Sequence, residues 1–179
     1  MPLRRGQIAP GIRVVRGGGA PWQGMIRASS LMAPCALGRS GISRHKREGD
    51  GATPAGAFRL VAAYYRPDRV PRPQTALPVV PLHSGLGWCD DPADRNYNRP
   101  VGLPYPGRHE RMWRDDHLYD IVVVVDFNLD PVRRGAGSAI FLHLARPDFA
   151  ATEGCVAVNL ETMRRLLAGA GPATTIAIG

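Results

Sequence analysis

The stretch AIFLHLARPDFAATEGCVAVNLETMRRLLA, residues 139–168, decides how this chain is read. Its first six residues, 139–144, are an apolar run that reads as a short strand, with His143 near its end. Residues 146–154 hold Pro147, Asp148 and Gly154 and read as a connecting loop. Residues 155–158 read as the next strand. Asn159 is a good helix N-cap, and Leu160, Met163, Leu166 and Leu167 then share one face of a helix over Leu160–Ala168. Gly171 and Pro172 stop that helix, and residues 174–178 read as a final strand.

Working outward, Ile121–Val125 is a continuous β-branched run, expected as a buried strand, followed by a turn region over 130–137. Residues 58–65 (FRLVAAYY) read as another strand, and 12–15 as a short one before Gly17, Gly18 and Gly19. Residues 38–57 are polar and glycine-rich. Residues 66–118 mix Pro, Asp, Arg and aromatic side chains without a steady period, and read as functional surface or a lid. The expected fold is mainly β (α+β), with a few short helices. Length fits one domain, 1–179, since 179 residues can bury a core without disulfides or metals.

Composition narrows the partners. The net charge is +8, almost all from arginine, with Lys46 the only lysine. A basic surface attracts polyanions. The arginines are scattered, however, and no basic block with interleaved aromatics or zinc-finger spacing is present, so nucleic acid is not an expected partner. Cys35, Cys89 and Cys155 cannot all pair within one chain, which points away from a disulfide scaffold. No segment approaches 18 consecutive apolar residues, so no membrane span is expected. Arg4 and Arg5 near the start are not followed by an apolar run, so no ordinary secretory signal is read.

The chemistry rests first on His143 and Cys155. A thiol attacks carbonyls as its thiolate, and a nearby imidazole can take the proton and later return it to a leaving amine. Two neighbouring strands joined by a loop place both side chains at one sheet end. Gly154 permits close substrate approach, and backbone N–H groups near Gly154 and Cys155 are candidates for an oxyanion hole. Residues alone leave a plainer alternative: a cysteine beside VAV is often a small buried hydrophobe, and a strand histidine is often a satisfied core residue.

The stretch FLHLARPDFAATEGCVAVNLETM resembles the catalytic signature of the L,D-transpeptidases, the YkuD-domain enzymes. Their pattern is a strand histidine, a loop, then Ser/Thr-x-Gly-Cys and an aliphatic residue. His143 matches the histidine, and Thr152, Gly154 and Cys155 match Thr-x-Gly-Cys. KREGDGATPAGAFRL, residues 46–60, is similar to the family's upstream segment through Thr53, Pro54, Gly56 and Phe58. The resemblance is most complete over 38–179. It implies a YkuD-like β-sandwich or mixed sheet, no cofactor and no metal. It also implies attack by Cys155 on the L-centre to D-centre bond of a peptidoglycan stem peptide. The leaving group is a D-amino acid, and an amine or water then releases the acyl-enzyme. Release by water would make the protein a carboxypeptidase or endopeptidase, and loss of catalysis would make it a cell-wall-binding module. The implied location is the periplasm or cell wall, with the cytoplasm open because no signal is read.

Two departures matter. Many members have Gly after the histidine, where this chain has Leu144, and Arg two places after the cysteine, where it has Ala157. The carbonyl that orients the imidazole in the family falls to Leu144, and Arg146, Arg99 or Arg47 could stand in for the missing arginine. HSGLGWCDDPADRNYNRPV, residues 83–101, reads either as a polar loop anchored by Trp88 or as a substrate-facing flap. The flap reading puts Tyr97, Asn98 and Arg99 near the cleft and, with Thr152 and Arg146, gives the candidate substrate contacts. A metal reading of His83 and Cys89, with His109 or His117, lacks HxxxH or CxxC spacing. RHERMWRDDHLYD, residues 108–120, reads as a solvated charged face pinned by Trp113 and Tyr119, or as cleft wall with Arg111 or Arg114 on a substrate carboxylate.

Overall fold

A computed structural model describes residues 11–179; the basic start, with Arg4 and Arg5, lies outside the described residues. Strands β1 (Ile12–Arg16), β2 (Gln23–Ala28) and β3 (Leu31–Ala36) form an antiparallel meander. Two short pieces, β4 (Ile42–Ser43) and β5 (Thr53–Pro54), pair in parallel and bracket the glycine-rich segment. The long β6 (Gly56–Tyr65) follows, with β7 (Val79–Pro81) beside it. Then β8 (Leu86–Cys89), β9 (Pro100–Gly102) and β10 (His109–Arg111) make a separate antiparallel sheet with β8 in the middle. The chain ends with β11 (Ile121–Val125), β12 (Phe141–Leu144), β13 (Val156–Val158), α1 (Leu160–Ala168) and β14 (Thr175–Ile178).

The large sheet runs β11-β12-β13-β3-β2-β1-β14-β6, and β6 pairs again with β11. This closes the sheet into a barrel, with β7 attached outside the ring. The expected sandwich is therefore corrected to a closed barrel. The cause is long-range pairing: β6 runs ten residues and bonds to both β14 and β11, so the large sheet closes on itself instead of splitting into two stacked sheets. The expected few short helices reduce to one, α1, among the described residues. Its span matches the apolar pattern, and Asn159 caps it, accepting from the Thr162 N–H at 2.8 Å. Such a cap contributes about 1 kcal/mol.

Strand alternation sorts the side chains into two cores. Ile121, Val123 and Val125, Leu142 and Leu144, and Val156 and Val158 point into the barrel, where Met163, Leu166 and Leu167 of α1 join them. Each such buried side chain contributes about 1.5–3 kcal/mol. The intervening residues Val122, Val124 and Phe141 face outward and meet Trp88, Met112 and Tyr119 beneath the β8–β10 sheet. Residues 66–118 are thus not one long loop. They carry β7 to β10, and the small sheet roofs the outer face of β11 and β12.

Candidate active site

The same alternation builds the site. His143 pairs with Ala157 between the parallel strands β12 and β13, so Phe141 and His143 share the outer face with Cys155 and Ala157. Cys155 precedes β13 by one residue, at the end of a tight turn. Thr152 makes that turn: its hydroxyl donates to the Cys155 carbonyl at 2.7 Å and accepts from the Gly154 N–H at 3.2 Å. Gly154 sits at φ 140°, and a Cβ there would stand 2.8 Å from the Ala52 carbonyl oxygen, so only glycine fits.

Ala52 belongs to the upstream segment, and this contact explains why the two similar stretches occur together. Thr53 is fully buried, and its Oγ1 accepts from the Gly38 N–H at 2.8 Å. Gly38 in turn bridges in parallel to Thr152, through Thr152 N–H to Leu37 O and Arg39 N–H to Thr152 O. The Thr-Pro-x-Gly segment is therefore a clamp on the turn that precedes Cys155.

His143 Nδ1 lies 2.8 Å from the Leu144 carbonyl oxygen. A carbonyl only accepts, so Nδ1 carries the proton and Nε2 keeps its lone pair. Burial pulls the imidazole down to about 4, and burial pushes the Cys155 thiol up to about 12. The resting pair is thus a neutral thiol and a neutral imidazole. The thiol donates to the Ala139 carbonyl at 3.2 Å and receives the Phe141 N–H at 3.4 Å; among the described residues no hydrogen bond joins it to His143.

Both side chains open on a cleft of about 500 Å³. The far wall is the β8–β10 roof. Glu110 of β10 accepts from the Tyr119 hydroxyl, and the buried Tyr119 ring stands edge-on to His143 at 5.3 Å and to Phe141 at 5.9 Å. Arg114 lines the cleft, forked onto Asp116, and Lys46, Glu48, Asp90, Arg108, Arg146 and Glu153 complete the charged lining.

Of the residues singled out from sequence, Cys155, His143, Thr152, Arg146 and Arg114 meet at this cleft, and Arg111 does not line it. Arg146 is exposed at its mouth and makes no ion pair among the described residues, whereas Arg47 and Arg99 do not line it. Tyr97 and Asn98 lie elsewhere: each is 1% exposed and turned inward. Tyr97 donates to Glu48, which also receives Ser138. Asn98 Oδ1 accepts from Trp88 Nε1 at 2.9 Å and the Ala139 N–H at 3.0 Å, while its Nδ2 donates to the Phe127 and Asn128 carbonyls. Trp88 is the packed anchor of the plainer reading, edge-on to Phe141 at 5.1 Å. Residues 108–120 are cleft wall as well as charged face. Glu110 was not singled out, although alternation in the short β10 puts it opposite Trp88 and hence under the roof. His83, His109 and His117 each use Nδ1 locally, on Gly85, Gly107 and Asp120.

The profile of the YkuD family, the L,D-transpeptidase catalytic domain, matches residues 15–178. The chain belongs to this family. No match was found among curated proteins or among solved structures. Members of the YkuD family act on peptidoglycan and are typically extracytoplasmic, cysteine-dependent transpeptidases. No helix among the described residues is long and apolar enough to cross a membrane. In this member Ala157 is 1% exposed and in register with His143, so the position where many relatives carry arginine lies beside the imidazole.

Proposed function

We propose that this YkuD protein is an L,D-transpeptidase-like acyltransferase acting on peptidoglycan stem peptides through a thioester on Cys155. The observation that carries the reading is the shared cleft face of Cys155 and His143, with the imidazole proton fixed on Nδ1 by Leu144. In the proposed first step, Sγ attacks the carbonyl carbon of the L-centre to D-centre bond as its proton passes to His143 Nε2. The imidazolium returns that proton to the departing amine, and a D-amino acid leaves. Gly154 N–H is taken by Thr152 Oγ1, so the oxyanion donor is assigned to the Cys155 N–H. Arg146, free at the mouth, is assigned to the carboxylate of the leaving residue, a role the missing arginine at 157 leaves open. An amine from a second stem, or water, completes the turnover. The whole chain, 1–179, is assigned as one catalytic domain working in the periplasm or cell wall.

The test is intact mass after incubation with a carbapenem. One covalent adduct is expected, absent from Cys155→Ala. No adduct, with Cys155 still open to a thiol reagent, would make the protein a wall-binding module instead. Release of D-alanine from a tetrapeptide stem without coupled product, in the presence of acceptor, would make it a carboxypeptidase. Fractionation of a tagged copy checks the compartment.

A further inference from the structure

The acyltransferase reading requires a second substrate, and a primary amine at neutral pH is an ammonium ion. It cannot attack a thioester until it loses a proton. The ammonium gives up two protons in becoming an amide nitrogen, whereas the departing thiolate takes back only one through His143, so the second half-reaction calls for a further proton acceptor.

Four carboxylates line the cleft, and each is held through one oxygen, with no hydrogen-bond donor on the other among the described residues. Glu48 accepts from Tyr97 and Ser138, Asp90 is paired with Arg108 at 3.0 Å, and the exposed Glu153 pairs with Arg39. Glu110 is set apart by what it adjoins. Its Oε1 is held by Tyr119, with Arg114 Nη1 at a loose 3.7 Å, and its charge reaches the Cys155 thiol and pushes it up. No buried side-chain oxygen there lacks a partner, so Oε2 is not sealed in and meets the cleft. Tyr119, which holds Glu110, also packs on His143, so the carboxylate is fixed relative to the imidazole from the opposite wall.

We propose that Glu110 is the residue that binds the acceptor ammonium and takes its proton, a catalytic group for the second half-reaction separate from His143. Burial raises its carboxyl above the usual range, which makes it a better base for this transfer. The step balances. The ammonium gives one proton to Glu110 Oε2, and the freed nitrogen lone pair forms the C–N bond at the thioester carbon. The C–S bond breaks with its electrons returning to Sγ. The second nitrogen proton passes through His143 to the thiolate, and Glu110 later releases its proton to solvent.

The inference rests on the acyltransferase reading, and the experiment separates the two. Wild type and Glu110→Gln are loaded with a tetrapeptide stem, and transfer is measured to Nα-acetyl-lysine amide, an ammonium, and to hydroxylamine, which is neutral at pH 7. In Glu110→Gln the ratio of lysine-amide to hydroxylamine product falls about a hundredfold. Tyr119→Phe, which keeps the carboxylate but loses its tether, lowers that ratio less than Glu110→Gln does. An unchanged ratio in Glu110→Gln, or an equal fall for both nucleophiles, overturns the inference while leaving the acyltransferase reading intact. A wild type that forms no product with either nucleophile and no acyl-enzyme overturns the acyltransferase reading, and this inference with it.

Discussion

Asn98→Ala is the substitution whose outcome is worked most fully from the structure. Its side chain serves four backbone or indole groups, and two of them are donors, Trp88 Nε1 and the Ala139 N–H, that would be left without an acceptor. A buried donor without a partner costs about 1–3 kcal/mol, so the pair costs about 2–6. Asn98 also sits at φ 57°, where replacing Asn by Ala adds about 1 kcal/mol. The expected loss is about 4 kcal/mol, or roughly 10 °C in Tm for a chain of this size. Urea unfolding followed by tryptophan fluorescence measures it, and Asn98→Gly should recover the backbone part. The effect should also reach the site, because Ala139 holds the Cys155 thiol through its carbonyl. Stability within about 1 kcal/mol of wild type, together with a raised KM for stem peptide, would refute this reasoning and return Asn98 to the substrate face.

Three further outcomes follow from the same geometry. Alkylation of Cys155 by iodoacetamide should rise about tenfold per pH unit between about 6 and 9 without levelling, because burial keeps the thiol protonated; a plateau with a midpoint near 6 would show a preformed thiolate–imidazolium pair. His143 lies lower folded, at about 4, than its ordinary 6.5, so between these values the unfolded chain binds the extra proton. Stability should therefore fall as pH drops through that window, by at most about 3 kcal/mol, and His143→Gln should lose that share of the pH slope in paired urea titrations. Gly154→Ala puts a Cβ against the backbone oxygen of Ala52 and should cost about 2–4 kcal/mol in denaturant midpoints; a neutral result would mean the 51–53 segment shifts freely.

Local patterns carried much of the fold. The β-branched run Ile121–Val125 and the Asn159-capped helix were legible because period and cap agree over short range. Closure of the barrel was not, since it depends on β6 meeting both β11 and β14, and nothing in FRLVAAYY marks two partners. The hairpin of β2 and β3 was hidden as well: Pro34 interrupts the strand signal, and the turn relies on Ser29 at φ 49° rather than on glycine. Within the site, alternation along β12 sufficed to put His143 outside the barrel. Tyr97 and Asn98 read as surface because their type is polar, yet their polar atoms are consumed by the 127–139 loop, a partnership only tertiary structure reveals. Glu110 was obscured for the converse reason: one acid among arginines reads as a solvated charge, and only the roof over β11 and β12 encloses it.

Strands β12 and β13 are two-sided, with Leu142, Leu144, Val156 and Val158 filling the barrel while Phe141, His143 and Ala157 face outward, the last two onto the cleft. A shift of one residue in either strand would turn His143 or Ala157 inward and a core aliphatic outward. The His143 and Cys155 pair is therefore as immobile, over evolution, as the barrel interior itself. The roof of β8 to β10 lies under no such constraint, because its side chains reach the cleft without filling the barrel. New substrate preferences in this architecture should accumulate there, in a wall that can be rebuilt while the staves that hold the thiol stay fixed.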